Sequence, residues 1–189
     1  MNLKTTASCP VCCAEMQFCW ESQEIPYFGE AMVIAGVCRC GYRHSDTILL
    51  SQKEPARYTL QVTEPEDLDA RVVRSSSGTI RIPELGIDVE PGPASESYIS
   101  NVEGVLARIT EIVAFATRSA EEAGDSERTN RGEGILENIR QTLRGQFSLT
   151  FMIEDPLGNS AIASEKAVRS SLTDEEISNL KTGTIILDA

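Results

Sequence analysis

All six cysteines of this 189-residue chain fall between positions 9 and 40, at Cys9, Cys12, Cys13, Cys19, Cys38 and Cys40. A disulfide framework spreads its cysteines through a small secreted chain, and this chain does neither. Its N-terminus, Met1-Asn2-Leu3-Lys4-Thr5-Thr6, has no apolar signal region. Two clusters stand out, Cys9-Pro10-Val11-Cys12 and Cys38-Arg39-Cys40-Gly41, with 25 residues between them. Two such knuckles at the tips of two hairpins place four thiolates tetrahedrally around one ion, at about 2.3 Å for a zinc–sulfur bond. Pro10 and Gly41 suit the sharp turns that aim backbone N–H groups at sulfur.

Buried reduced cysteines would not cluster at ligand spacing, and no βαβ pattern follows Cys9-x-x-Cys12 to make it a redox dithiol. The spacing therefore predicts a structural zinc ribbon over residues 1–52, with Cys9, Cys12, Cys38 and Cys40 as ligands. The second knuckle is one residue short of the usual C-x-x-C, and Cys13 stands where many knuckles carry Gly. Cys13, Cys19 and the lone histidine, His44, are therefore alternative donors. Four sulfurs leave no open coordination position, so the metal is structural.

Residues 53–189 read as strands, a helical hairpin and more strands. Alternation marks Tyr58–Val62, Arg71–Arg74, Thr79–Ile82 and Leu85–Val89, with Pro83 stopping one ladder. From about 97 the period becomes helical through Ile99, Val102, Leu106, Ile109 and Val113, with Ser97 or Ser100 as the cap and Ser100 to Glu103 as a capping box. Residues 124–131 read as the hairpin loop, and the return helix closes at Gly145. Phe147–Ile153 alternates as a strand, Asp155–Ser160 is a turn, Thr173 caps a short helix, and Thr184–Leu187 is a last strand. The fold class is mainly β, a zinc ribbon followed by a small barrel or double-sheet roll with a helical hairpin at about 97–145.

Function classes narrow by composition. With 17 Lys+Arg against 29 Asp+Glu the net charge is −12, which disfavours an electrostatic grip on phosphate backbones. The first 60 residues are nearly neutral, 5 basic against 6 acidic, so a basic partner would be steered toward the rest. No apolar run reaches the roughly 20 residues of a membrane span, and the expected location is the cytoplasm. There is no phosphate-binding G-x-x-x-x-G-K-[ST] loop, H-E-x-x-H or G-x-S-x-G, and the carboxylate pair Asp88 and Glu90 has no marked neighbours. The chain is expected to be no enzyme. A nucleic-acid-binding ribbon, with Arg39 and Arg43 as contacts, is the alternative to a protein-binding one.

Several separated motifs then resemble one family. Cys9-Pro10-x-Cys12, Ile25-Pro26-Tyr27-Phe28 and Cys38-x-Cys40-Gly41-Tyr42-Arg43 resemble the zinc finger of the ZPR-type zinc-finger proteins. Val73-x-x-Ser76, Thr79-Ile80-Arg81-Ile82-Pro83-Glu84-Leu85, Asn101-Val102-Glu103-Gly104 and Asp155-Pro156-x-Gly158-Asn159-Ser160 resemble that family's second domain. Eukaryotic members carry two such modules, and this single one looks like the archaeal form. The resemblance implies one Zn2+ and a double-stranded β-helix interrupted by a helical hairpin. It also implies a partner, the GTPase translation elongation factor one-alpha, which eukaryotic members bind and help to fold. A single module also leaves room for self-pairing into a homo-oligomer. Tyr27 and Phe28, on a loop between the knuckles, are candidate partner anchors. Arg81 and Glu84, flanking Ile82 and Pro83, are a candidate contact strip.

Overall fold

The computed structural model describes residues 2–25, 29–50 and 53–182. The chain divides into two compact units, Met1–Lys53 and Glu54–Ala189. The first is an antiparallel meander of β1 (Asn2–Ser8), β2 (Glu15–Ile25), β3 (Gly29–Val37) and β4 (Arg43–Leu49), in the sheet order β1-β2-β3-β4. Alternation sends Met16, Phe18 and Trp20 of β2 to one face and Gln17, Cys19 and Glu21 to the other. Register places Phe18 opposite Thr5 and Gly36, and the Trp20 indole donates 2.7 Å to Thr5 Oγ1. Among the described residues here, Cys9, Met16 and Cys38 form the buried cluster, with Phe18 and Tyr42 packed at its side.

Among its described residues the second unit holds two sheets. The larger contains β5 (Ala56–Val62), β7 (Thr79–Ile82), β8 (Ile87–Val89), β10 (Leu149–Asp155) and β12 (Val168–Ser171), ordered β12-β5-β10-β7-β8. The smaller has β6 (Arg71–Arg74) between β9 (Tyr98–Asn101) and β11 (Ala161–Ala163). Strand neighbours far apart in sequence, such as β5 with β10, are the mark of a roll rather than a meander. Inward-facing Leu60, Val62, Ile80, Ile82, Phe151 and Ile153 are at most 1% exposed. Each contributes about 1.5–3 kcal/mol by leaving water. On the outer face Glu154 accepts from Arg57 Nε and Arg81 Nε, both at 2.7 Å, and Arg57 reaches on to Glu176 at 2.8 Å.

Between the strands stands a helical pair, α1 (Val102–Glu122) and α2 (Ser126–Leu143). Its start differs from the expected one. Residues 98–101 are strand β9, because Ile99 pairs with Val73 and Asn101 with Arg71, which holds that backbone extended. The cap is consequently Asn101, whose side chain accepts the Gly104 N–H at 2.9 Å, and not Ser97 or Ser100. The hairpin loop is also shorter than residues 124–131. Asp125 caps α2 by accepting the Arg128 N–H at 3.1 Å, so the polar run after it is the helix's solvent face. A short helix, α3 (Asp174–Asn179), opens on the expected Thr173 cap with Glu176 completing a capping box. The expected strand Thr184–Leu187 lies outside the described residues.

The two long helices meet where α2 has Gly132. A Cβ built there would lie 2.0 Å from Thr117 Oγ1 and 3.0 Å from Thr117 Cβ. Thr117 cannot turn away, since its hydroxyl donates to the Val113 carbonyl at 2.7 Å. Gly132→Ala is therefore expected to destabilise the second unit by about 1–2 kcal/mol, the overpacking cost exceeding the roughly 1 kcal/mol gained in helix propensity. Denaturant unfolding checks this, and adding Thr117→Ala, which removes the hydroxyl and methyl but leaves the Cβ 3.0 Å away, should restore part of the loss.

Candidate metal centre

The cysteine knuckles are held by their own backbone. At the first, the Cys9 carbonyl accepts from Cys13 N at 2.9 Å, and at the second the Cys38 carbonyl accepts from Gly41 N at 2.9 Å. The second turn spans one residue fewer, which is how a C-x-C spacing closes where C-x-x-C would be usual. Each turn ends on a left-handed residue directly after its last cysteine, Cys13 at φ 57° and Gly41 at φ 93°. Gly adopts this conformation freely, and a β-carbon makes it costly at Cys13. Outer bonds seal both hairpins, Cys9 N to the Ala14 carbonyl and Cys38 N to the Tyr42 carbonyl, both at 2.8 Å.

The turns bring Cys9, Cys12, Cys38 and Cys40 together with every Sγ within 4.8 Å of the others. Cys9 and Cys40 sulfurs lie 3.7 Å apart, and Cys12 and Cys38 sulfurs 3.5 Å. Those separations are close to the edges of a tetrahedron with about 2.3 Å metal–sulfur bonds. Cys9 and Cys38 are buried, whereas Cys12 and Cys40 face solvent. Burial alone would raise the Cys9 thiol, but the Cys12 and Val11 backbone N–H groups outweigh it and hold it at about 7. At Cys38 the Cys40 backbone N–H pulls the other way, yet burial and the neighbouring thiols prevail and push it up to about 12. Four sulfurs this close oppose one another's ionisation, a conflict that a divalent cation removes by replacing their protons. The donor set fits a closed, all-thiolate zinc site with no position left for substrate.

Among the alternative donors, Cys13 and Cys19 are exposed and stand outside the four-sulfur group. The His44 ring packs edge-on against Phe18, with centroids 5.6 Å apart, and also stands outside it. Tyr27 and Phe28 lie outside the described residues. Arg81 and Glu84 are both engaged within the second unit. Arg81 bridges Glu154 and Asp88, and Glu84 accepts from the Thr150 hydroxyl at 2.6 Å and its N–H at 2.9 Å. Asp88 and Glu90 are each tied to a cation, Arg81 and Lys181 respectively.

A second polar centre joins two segments that the sequence marks as turns and as motifs of the second domain, without showing that they meet. The Asp155 carboxylate, 1% exposed, accepts from the hydroxyls of Ser75, Ser77 and Ser160, all at 2.7 Å, and from the Leu157 N–H at 2.8 Å. Ser75 N in turn donates to Ser160 Oγ at 3.0 Å. The donors saturate the carboxylate and leave it tying two turns together. The sequence clue was the run Ser75-Ser76-Ser77 and, 80 residues on, the Asp155-Pro156 turn with Ser160, but their convergence is a matter of tertiary structure.

A sulfur-bound metal ribbon joined to a β-roll carrying a helical pair defines the class of protein. Comparison with known proteins sharpens it. The ZPR1 jelly-roll domain matches residues 66–181. A ZPR1-like protein of Pyrococcus horikoshii is 45% identical over 185 residues, covering 95% of this chain and 82% of the relative. A second, from Methanocaldococcus jannaschii, is 40% identical over 183 residues, covering 95% and 91%. The zinc finger chaperone zpr1 of Schizosaccharomyces pombe is 29% identical over 158 residues, which is 82% of this chain but 34% of that protein. The chain belongs to the ZPR1 family, in its single-module form. Its cofactor is a structural Zn2+, consistent with the four-sulfur group and the zinc-finger relatives. No helix among the described residues is long and apolar enough to cross a membrane.

Proposed function

We propose that the chain is a zinc-dependent binding partner and folding chaperone of the GTPase translation elongation factor one-alpha, acting in the cytoplasm. Zinc is held by Cys9, Cys12, Cys38 and Cys40 and fixes the knuckles as a rigid platform. The observation that carries this reading is the closed four-sulfur cluster in a chain similar to a zinc finger chaperone. A site with no open metal position does no metal chemistry, so its use is to present surface. Val11 and Val37 are 69% and 64% exposed beside the ligands, apolar side chains on a metal-held frame of the kind that anchors interfaces. Tyr27 and Phe28 are the further anchors on sequence grounds. Arg81 and Glu84 take part as an ordered polar strip whose geometry the Glu154 and Thr150 bonds maintain.

The test is calorimetry or pull-down of the zinc-loaded chain against the elongation factor free of nucleotide, with GDP and with GTP. Stoichiometric binding that changes with nucleotide state is expected. Absence of binding in all three states would overturn the proposal. Salt-sensitive binding to RNA in its place would favour a nucleic-acid role for Arg39 and Arg43.

A further inference from the structure

The sulfurs of the metal centre stand in two pairs that cross from one hairpin to the other. Cys9, 1% exposed, lies 3.7 Å from Cys40, and Cys38, 3% exposed, lies 3.5 Å from Cys12. Each pair thus joins a buried sulfur to one that faces solvent. The members are 31 and 26 residues apart in the chain, so a bond in either pair ties the first knuckle to the second. A disulfide sets two sulfurs about 2.05 Å apart, so each pair needs a closer approach of less than about 2 Å.

We infer that the cluster is a peroxide-sensitive switch, which gives up its zinc by forming two cross-knuckle disulfides, Cys9–Cys40 and Cys12–Cys38, and keeps the ribbon folded. Four cysteines allow three connectivities, and local structure disfavours two of them. Joining Cys38 to Cys40 would close a small ring through one residue, in a turn that the Gly41 N–H already clamps onto the Cys38 carbonyl at 2.9 Å. Strain in such a bond makes it easily reduced. Joining Cys9 to Cys38 would need an oxidant to reach one of two buried sulfurs. In the remaining connectivity each pair offers the oxidant an exposed sulfur and holds a buried one beside it to finish the step. The Cys12 thiolate attacks one oxygen of hydrogen peroxide, the O–O bond breaks, and hydroxide leaves as Cys12 becomes a sulfenic acid. The Cys38 thiolate then attacks the Cys12 sulfur and displaces a second hydroxide, so two thiolates have given two electrons to the peroxide. Cys40 and Cys9 repeat the sequence with a second peroxide. After the first disulfide only two thiolates remain, too few for a closed zinc site. The disulfides then supply the constraint between hairpins that the metal had supplied, by restricting the unfolded chain. The switch is independent of which partner the ribbon meets.

Titration of the full zinc-loaded chain with hydrogen peroxide tests this, with a zinc-sensitive dye in solution and free thiols blocked before the disulfides are mapped by mass spectrometry. All the zinc is expected to leave as about two peroxides per chain are consumed, by the electron count above. Cys9 should then be bonded to Cys40 and Cys12 to Cys38, with Cys13 and Cys19 still free. Dithiothreitol and added zinc should restore the starting metal content. Cys13→Ser combined with Cys19→Ser, both outside the four-sulfur group, should release zinc with unchanged stoichiometry. Amide exchange over residues 1–53 should stay slow in the oxidised chain and become fast in a reduced chain stripped by a chelator. Bonds within a knuckle, bonds to Cys13 or Cys19, or sulfinic acids without disulfides overturn the inference. Zinc that stays bound throughout the titration overturns it as well. Fast exchange in the oxidised chain does the same, because the disulfides would then not replace the metal. Binding of the zinc-loaded chain to the elongation factor is measured without oxidant, so the proposed function stands or falls separately.

Discussion

Cys9→Ser is expected to empty the zinc site and unfold residues 1–53 while leaving the second unit folded. The ribbon has almost nothing else to hold it. Its buried cluster is Cys9, Met16 and Cys38, two of them ligands, so losing the metal also loses most of that cluster and leaves Ala31 and Ile34 as the other buried apolar side chains described there. Zinc binding in such a module contributes roughly 10–16 kcal/mol to folding. A whole domain seldom has more than about 5–15 kcal/mol of stability to lose. The second unit has its own core and no cysteine, so it should feel none of this. Measuring zinc per chain, with amide protection read unit by unit, decides the matter. Cys12→Ser, Cys38→Ser and Cys40→Ser should behave alike, and Cys13→Ser, at an exposed left-handed turn position, should keep its metal. Zinc retained in Cys9→Ser would transfer the ligand role to Cys13, Cys19 or His44.

The second large effect is expected at Asp155. Asp155→Ala removes the acceptor of three hydroxyls and one backbone N–H inside a protein region that water does not reach. An orphaned buried donor costs about 1–3 kcal/mol, and the serines can recover part of this by bonding one another, as Ser75 and Ser77 already do at 3.0 Å. The loss should be about 4 kcal/mol in the denaturant unfolding of the second unit. Asp155→Asn keeps an oxygen and supplies an amide to which hydroxyls can turn their lone pairs, so it should cost about half as much. Equal losses in the two variants would mean that the negative charge, and not the count of bonds, holds the turns.

What was legible in the sequence followed the range of the interaction. Cysteine spacing exposed the metal cluster because each knuckle is a local turn, closed by bonds over three or four residues. Thr173 announced α3 for the same reason. Ile99 misled because its spacing to Val102 and Leu106 is helical, while its strand pairing with Val73 is set by a partner 26 residues upstream. Residues 126–131 misled because polar composition marks a solvent face, and a helix has one as readily as a loop does. Strand β11 has too few residues to show a period, and β12, Val168–Ser171, is exposed throughout and holds one apolar residue in four. Asp155 and its serines read as turn residues, which they are. Only the fold brings turns 80 residues apart together and takes water from them.

That separation also bears on the order of events during folding. The bonds from Ser75 and Ser77 to Asp155 close chain loops of 80 and 78 residues, and the whole helical hairpin lies inside those loops. Contacts within α1 and α2 are local and can form on a microsecond scale, before long loops are closed. The hairpin thereby shortens the effective path between the two turns, and the serine–aspartate knot is a late bolt rather than a nucleus. Substitutions in the knot should then speed unfolding far more than they slow folding. A chain proposed to assist another protein's folding thus owes the slow opening of its own second unit in large part to a single buried carboxylate.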